Sequence, residues 1–287
     1  MSSRRRGLKP RKNKRSVQKM KTNSWFIAGL FVLSAVGTGF LYWFRVETDA
    51  RVGQSVPLSS EAPNHALFDE VLQARVNAKG QVDYAGLKAS PDKLEAYLDR
   101  LASADLAALS YYEQLAFWLN AYNALVIKGV VDRYPTTSVR SVKPFGGFFY
   151  RLKFQVAGKP YTLNEIEHDV IRAEFVDARV HFALVCASAG CPTLENRAFF
   201  ADTLEERLET ATFNFVANPE KVRLKRSERR LYLSKIFKWY AADFTEGYAG
   251  VTDFLADYLP PDDAEFLETE EVELHYLDYD WTLNAQR

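Results

Sequence analysis

The chain has 287 residues, of which 47% are hydrophobic, so it is long enough to bury a full core in one or two domains. It contains 37 basic and 37 acidic residues, but ten of the basic residues and no acid fall within the first 21 positions. The remaining chain therefore has 27 basic against 37 acidic residues, a net charge of −10. This balance argues against a nucleic-acid-binding domain, which needs a basic face.

An uncharged segment follows the basic arm. It covers Trp25 to Phe44, twenty residues with aromatic side chains at both ends. At about 1.5 Å per residue, a helix of this length spans the roughly 30 Å hydrocarbon core of a bilayer. We therefore predict a cytoplasmic arm over 1–23 and an uncleaved transmembrane anchor over 24–45, with the following domain in the periplasm or outside the cell.

The anchor and the basic arm would make membrane lipids a partner of the chain. The alternative is a cleaved signal peptide, since Thr48-Asp-Ala50 offers small residues at a cleavage site. The apolar run is longer than the usual core of a signal peptide, which favours the anchor.

A polar segment over 46–64, containing Pro57 and Pro63, is typical of a tether, and one globular domain is predicted over 65–287. Helical spacing begins with Leu67, Phe68 and Val71, and a second helix is predicted from Asp92 to Leu101. The third helix has the clearest signals. Ser110-Tyr-Tyr-Glu113 forms a capping box, and the apolar run from Leu115 to Tyr134 stops at Pro135.

The pattern then alternates between strands and helices, which are predicted as follows: a hairpin over 151–163, a helix from the capping box Thr162-Leu-Asn-Glu165 to Phe175, a buried strand over 179–186, a helix over 202–217, a hairpin over 222–234, a helix over 235–244 and a strand over 272–279. No regular βαβ order occurs. The prediction is therefore an α+β fold, with a helical N-terminal part packed on a small mixed or antiparallel sheet with hairpins.

Five segments in order resemble one family: Ala116-Phe-Trp-Leu-Asn-Ala-Tyr-Asn-Ala124, Leu163-Asn-Glu-Ile-Glu-His168, His181-Phe-Ala-Leu-Val-Cys-Ala-Ser-Ala-Gly-Cys-Pro192, Ser234-Lys-Ile-Phe-Lys-Trp-Tyr240 with Asp243-Phe244, and Tyr279-Asp-Trp-Thr-Leu-Asn284. Together they are similar to the uncharacterised "domain of unknown function 547" family, over roughly Phe68 to Asn284. The resemblance implies a single domain, and it implies no particular activity.

The candidate site centres on Cys186 and Cys191, the two cysteines of the chain. In an oxidising compartment they would form a structural disulfide, and a short bridge within a turn is also a candidate for redox exchange. A nucleophilic thiol is the third interpretation, and it needs a base nearby. His181 would point away from Cys186 on one strand, so His168 is the better base for that thiol, and His181 would have to reach Cys191.

Further polar residues complete the candidate set. Glu165 or Glu167 could orient the His168 ring, and Glu165 lies three residues before His168 on one helix face. Asn120 and Asn123 lie within an apolar helix and would either orient a histidine or substrate, or tie a loop to the helix. A zinc site of His168, His181 and a thiolate is chemically acceptable, but no paired ligand spacing supports it, and no cofactor is predicted.

An aromatic loop lies outside this candidate set. It reads Lys143-Pro-Phe-Gly-Gly-Phe-Phe-Tyr150, and its glycines would let it line or cover a cleft, or plug the core. The aromatic residues Phe237, Trp239 and Tyr240 are predicted to lie in the core.

Three functions follow from the sequence. The first is a thiol-dependent hydrolase or transferase with a cysteine nucleophile and a histidine base. The second is a non-catalytic binding or scaffold domain with a structural Cys186–Cys191 disulfide. The third is a thiol–disulfide redox protein.

Overall fold

The computed structural model describes residues 45–54, 57–59, 63–143 and 145–286. It confirms the α+β class. Eleven α-helices occur within these residues: α1 Ala66–Arg75, α2 Tyr84–Ala89, α3 Asp92–Ser103, α4 Tyr111–Val131, α5 Val139–Val142, α6 Gly147–Tyr150, α7 Arg172–Glu174, α8 Leu204–Val216, α9 Lys235–Trp239, α10 Val251–Ala256 and α11 Pro261–Thr269. A π-helix covers Glu165–Ile171, and 3₁₀ helices cover Ala178–Phe182, Arg226–Glu228 and Ala241–Thr245.

The strands form two three-stranded mixed sheets. The first has the order β1-β2-β3 and the second β4-β5-β6, with strands Glu47–Thr48, Leu152–Val156, Lys159–Thr162, Val222–Lys225, Arg230–Leu233 and Glu273–Tyr276. Each sheet combines one parallel pair with one antiparallel pair. The two antiparallel pairs confirm the predicted hairpins. Positive φ angles at Ala157-Gly158 and at Arg229 let the chain turn between the paired strands.

Helix α4 is the central helix of the fold. Its capping box is present, since the Ser110 hydroxyl accepts from the Glu113 amide and the Glu113 carboxylate accepts from the Ser110 amide. Sixteen of its 21 residues are buried, which explains why its sequence is apolar on nearly every face. The helix ends at Val131, a few residues before the predicted end, and the chain turns through Tyr134-Pro135.

The buried side chains form two clusters. The larger one contains α1 to α4 and the first sheet, and the smaller one contains the second sheet with α10 and parts of α8 and α9. The segment before the cysteines joins them, because Val180 and Ala183 belong to the larger cluster and Phe182 to the smaller one. Tyr279 packs against both clusters. The cysteine segment therefore lies at the junction of the two parts of the core.

The predicted basic arm and the anchor up to Phe44 lie outside the described residues. Within the described ranges, no helix is both long and apolar enough to cross a bilayer. The described part of the predicted tether contacts the domain at several points, of which two involve its first residues. Glu47 and Thr48 add a parallel strand to β2, and the Arg51 guanidinium pairs with Asp99 at 2.6 Å.

Three predicted elements differ in the structure. The strand predicted over 179–186 is wrong: Ala178–Phe182 is a 3₁₀ helix, and an irregular segment follows it. The helix predicted over 235–244 is divided at Tyr240 into an α-helix and a 3₁₀ turn. The final strand is limited to Glu273–Tyr276, and the following residues leave the sheet to cross the cysteine turn.

The buried His65 gives the fold a predicted pH dependence. Its Nδ1 lies 2.8 Å from the Tyr97 hydroxyl, and burial lowers its pKa from 6.5 to about 4. Between these values the unfolded chain binds the proton and the folded chain does not, so the free energy of unfolding falls as the pH falls through this window. Urea titrations of the native chain from pH 7 to 4 should show this loss. His65→Gln should lack it, so the difference between the two proteins should change over this pH range. Parallel curves for the two proteins would contradict the assignment.

Candidate functional site

The structure joins Cys186 and Cys191 in a disulfide, with Cα atoms 6.2 Å apart. These are the two cysteines of the chain, so neither provides a free thiol in this state. Their exposure differs. Cys186 is partly exposed, whereas Cys191 is only 4% exposed and packs in the larger core cluster. One cysteine of the bridge is therefore partly exposed to solvent and the other is shielded.

Hydrogen-bond donors surround the shielded sulfur. The Cys186 amide donates to Cys191 Sγ at 2.9 Å, and the Tyr279 hydroxyl donates to the same sulfur at 3.2 Å. The Tyr279 oxygen also lies 3.2 Å from Cys186 Sγ, and Ser188 Oγ lies 3.5 Å from it. If the bridge opened at Cys186, the negative charge left on Cys191 would meet two donors that are already in position.

The C-terminal segment holds the cysteine turn in place. The Ala189 amide donates to the Thr282 carbonyl at 2.8 Å, and the Gly190 amide donates to the Asp280 carbonyl at 2.8 Å. Only glycine fits at position 190, because a Cβ there would lie 2.9 Å from the Asp280 carbonyl and from the Tyr279 ring. The close approach of this segment places the Tyr279 hydroxyl against the sulfurs.

Lys221, at the start of the β4–β5 hairpin, holds the same turn. Its Nζ donates to the Ala189 carbonyl at 3.0 Å and to the Gly190 carbonyl at 2.9 Å. Burial lowers the pKa of Lys221, although the nearby Glu220 and Asp280 oppose the shift. The turn between the cysteines is thus held by both its amides and its carbonyls.

The buried carboxylate of Glu167 influences Tyr279 through its charge. Glu167 accepts hydrogen bonds from the Tyr122 hydroxyl at 3.0 Å and from the Tyr240 hydroxyl. Burial raises the pKa of Tyr279, and the charge of Glu167 raises it further. Tyr279 therefore keeps its proton at neutral pH and remains a hydrogen-bond donor to the sulfurs.

A second set of polar side chains, formed by Asp243, Arg172 and His181, lies beside Tyr240. Asp243 accepts two hydrogen bonds from the Arg172 guanidinium, at 2.6 and 2.7 Å, and one from His181 Nε2 at 2.6 Å. Burial alone would raise the pKa of Asp243, but the bonds from His181 and Arg172 outweigh it and hold the pKa well below its usual value. The His181 ring stacks on the Tyr240 ring with centroids 3.9 Å apart, and Arg172 also contacts His168 Nδ1.

These contacts change the predicted roles of the histidines. Because His181 is on a 3₁₀ helix, the argument from opposite faces of a strand does not apply. His181 is directed at Asp243 and His168 at Arg172, and within the described chain neither ring is hydrogen-bonded to a sulfur. The described residues also contain no group of three or more His, Cys, Asp or Glu side chains placed to hold a metal ion.

The other predicted site residues support the backbone. Glu165 closes the Thr162 capping box, since its carboxylate accepts from the Thr162 amide at 2.7 Å. Asn120 donates to the Phe199 carbonyl at 2.8 Å and accepts from the Phe199 amide. Asn123 donates to the Ala183 carbonyl at 2.9 Å and accepts from the Val185 amide at 3.0 Å. Both amides thus tie a loop to α4, one of the two roles that their burial predicts.

The bonds of Asn123 also explain why no strand forms over 179–186, and their removal should lower the free energy of unfolding. Because the Ala183 carbonyl and the Val185 amide are paired with a side chain, this backbone has no need of a strand partner. Asn123→Leu leaves both groups buried and unpaired, so we expect the free energy of unfolding to fall by about 2 kcal/mol. Urea denaturation measures the change, with the exposed Asn214→Leu as a matched control. A loss no larger than that of the control would contradict this role.

An exposed aromatic surface borders the disulfide. The Trp239 side chain is 45% exposed, and its ring centroid lies 4.8 Å from that of Tyr279 and 5.9 Å from that of Trp281. The prediction that Trp239 is a core residue is therefore wrong, whereas Phe237 is fully buried as predicted. Surface aromatic clusters of this kind are enriched where proteins bind other proteins.

Sequence reasoning missed most of the residues around the bridge. Tyr122, Arg172, Tyr240, Asp243 and Tyr279 come from distant parts of the chain, and their spacing carries no metal or catalytic pattern. The available signal was that several lie inside the segments that carry the family resemblance, such as Asp243-Phe244 and Tyr279-Asp-Trp281.

The fold and the site together define a small α+β domain with a half-exposed disulfide at the junction of its two core clusters. A family model described as "Protein of unknown function, DUF547" matches residues 106–216, which confirms the resemblance over that range. The matched range includes α4, His168, His181 and both cysteines, and it ends before Asp243 and Tyr279. Comparison with curated proteins gave no match, and comparison with solved structures gave none either.

Proposed function

We propose that the domain carries out thiol–disulfide exchange, with Cys186–Cys191 as its redox pair and a cysteine pair of another protein as its substrate. The observation that carries this proposal is the asymmetry of the bridge. Cys186 is accessible to an attacking thiolate, and Cys191 is the shielded leaving sulfur with two hydrogen-bond donors.

The exchange has two steps. A thiolate of the substrate attacks Cys186 Sγ, the Cys186–Cys191 bond breaks, and its electron pair stays on Cys191 as a thiolate. The second substrate thiolate then attacks the substrate sulfur of the mixed disulfide and releases the Cys186 thiolate. The substrate is oxidised to a disulfide, the domain is reduced to two thiols, and two protons pass from the substrate thiols to Cys186 and Cys191. With a substrate disulfide the same steps run in reverse.

The aromatic surface around Trp239 supports a protein as the substrate. An attacking cysteine must approach Cys186 closely, and the exposed Trp239 ring beside the partly exposed Trp281 offers apolar area for the chain that carries it. A hydrolase or transferase is less well supported, because it needs a free thiol and a base, and both histidines are held by other partners.

The proposal includes the location of the domain. The uncharged segment from Trp25 to Phe44 and the basic arm support a single-pass anchor with a cytoplasmic N-terminus and lipid contacts. The domain would then lie in the periplasm or outside the cell, where disulfides form and persist.

Single-cysteine variants test the asymmetry. In Cys191→Ser the remaining Cys186 thiol should form a mixed disulfide with oxidised glutathione at least about ten times faster than the Cys191 thiol does in Cys186→Ser, because only the former is accessible. Mass spectrometry after acid quenching measures both rates. In urea the two rates should become similar, which controls for intrinsic reactivity. Equal rates in the folded proteins, or a faster Cys191, would contradict the proposal and favour a structural disulfide.

A further inference from the structure

A loop outside the disulfide site exposes two large aromatic side chains. Phe145 is 84% exposed and Tyr150 is 57% exposed, whereas Phe148 between them is fully buried. The Phe145 backbone lies in the left-handed region, with φ of 57°, which is rare for a bulky residue. The loop is therefore fixed to the core through Phe148, with Phe149 packed beside it, and directs Phe145 and Tyr150 outwards.

This loop is held beside the point where the uncharged segment ends. The buried Lys143 ammonium donates to the Arg45 carbonyl at 3.1 Å and pairs with the Glu47 carboxylate at 2.8 Å. From the other end of the loop, the Arg151 carbonyl accepts from the Glu47 amide at 2.8 Å. Both ends of the loop are thus bonded to residues 45–47.

The contact with residues 45–47 matters because of the sequence that precedes them. Arg45 directly follows the twenty uncharged residues that end at Phe44, and neighbouring Cα atoms are about 3.8 Å apart. A bilayer that contains the uncharged segment must therefore have its surface close to the loop. Phenylalanine and tyrosine are well suited to such a position, because their rings bury apolar area among headgroups.

We infer that Phe145 and Tyr150 insert into the headgroup region of the membrane and form a second lipid contact of the domain. The partner is the lipid surface next to the anchor. The contact fixes the orientation of the domain relative to the membrane, and it does not depend on the thiol exchange. It rests on the proposed anchor, since a domain that is not tethered by residues 24–45 has no membrane at this loop.

Photo-crosslinking in the full chain tests the inference. The chain is reconstituted in vesicles of phosphatidylcholine and phosphatidylglycerol with p-benzoylphenylalanine at position 145, 150 or 213. Phe213 is a matched control, because it is 54% exposed on α8, in a distant part of the fold. We expect lipid adducts at positions 145 and 150, in yields at least about ten times that at position 213. Similar yields at all three positions, or adducts of position 145 with protein, would overturn the inference.

Extraction of the same vesicles with alkaline carbonate separates the two proposals. If the chain stays in the membrane but positions 145 and 150 give no lipid adducts, the loop contact is wrong and the anchor stands. If carbonate releases the chain, the anchor is wrong, and the loop contact falls with it.

Discussion

Asp243→Asn is expected to lower the free energy of unfolding by about 2 to 3 kcal/mol. The substitution keeps the size of the side chain but removes the charge that faces Arg172 and His181. The His181 side chain is buried, whereas those of Asp243 and Arg172 are each about a quarter exposed, so the loss should lie between that of an exposed and that of a fully buried ion pair. Urea denaturation at pH 7 measures the loss.

The pH dependence of this loss follows from the lowered pKa of Asp243. A carboxylate with a folded pKa below its unfolded value of 3.8 stabilises the fold above that pH, and the stabilisation disappears as the pH falls through the folded pKa. The difference between the native chain and Asp243→Asn should therefore shrink as the pH falls below about 4.

A surface variant provides the matched control. Asp278 pairs with Lys235 at 3.0 Å but its side chain is fully exposed, so Asp278→Asn should cost less than about 1 kcal/mol. If Asp243→Asn cost no more than this control, Asp243 would not organise the group around His181.

Tyr279→Phe is expected to slow the reduction of the disulfide by dithiothreitol about tenfold. The variant keeps the ring that packs against Trp239 and Trp281 and removes the hydroxyl that donates to Cys191 Sγ. A hydrogen bond to a charged group contributes about 1.5 kcal/mol or more, and a change of about 1.4 kcal/mol in a barrier is tenfold in rate. Thiol labelling after acid quenching measures the rate.

The control for this variant is Tyr232→Phe. Its hydroxyl lies 3.4 Å from Glu228 on the surface of the second sheet, so its loss should leave the rate unchanged. An unchanged or faster reduction of Tyr279→Phe would show that the hydroxyl does not stabilise the leaving thiolate.

Local rules of sequence explain which parts of the fold were predictable. The capping boxes at Ser110 and Thr162 and the two hairpins depend on residues that are near one another in the chain. The segment over 179–186 depends on Asn123, about sixty residues earlier, which takes up its backbone groups. An apolar run alone cannot distinguish that arrangement from a buried strand.

In the site, too, features set by neighbouring residues were predictable and features set by distant residues were not. The two cysteines were predictable because they are close in sequence and separated by a glycine turn. The partners of the bridge were not, because Tyr279 reaches the sulfurs only when the C-terminal segment crosses the turn. The positions of His168 and His181 in the chain suggest bases, but their partners Arg172 and Asp243 are brought to them only by the fold.

The central claim is that the Cys186–Cys191 bridge exchanges in the folded protein. The most direct test is to compare its rate of reduction by dithiothreitol with the rate of global unfolding, in the same buffer and on the full chain. We predict that reduction is at least about ten times faster than unfolding, because Cys186 is accessible without unfolding, and that oxidised glutathione restores the bridge. Reduction that is only as fast as unfolding would contradict the claim and identify the bridge as structural.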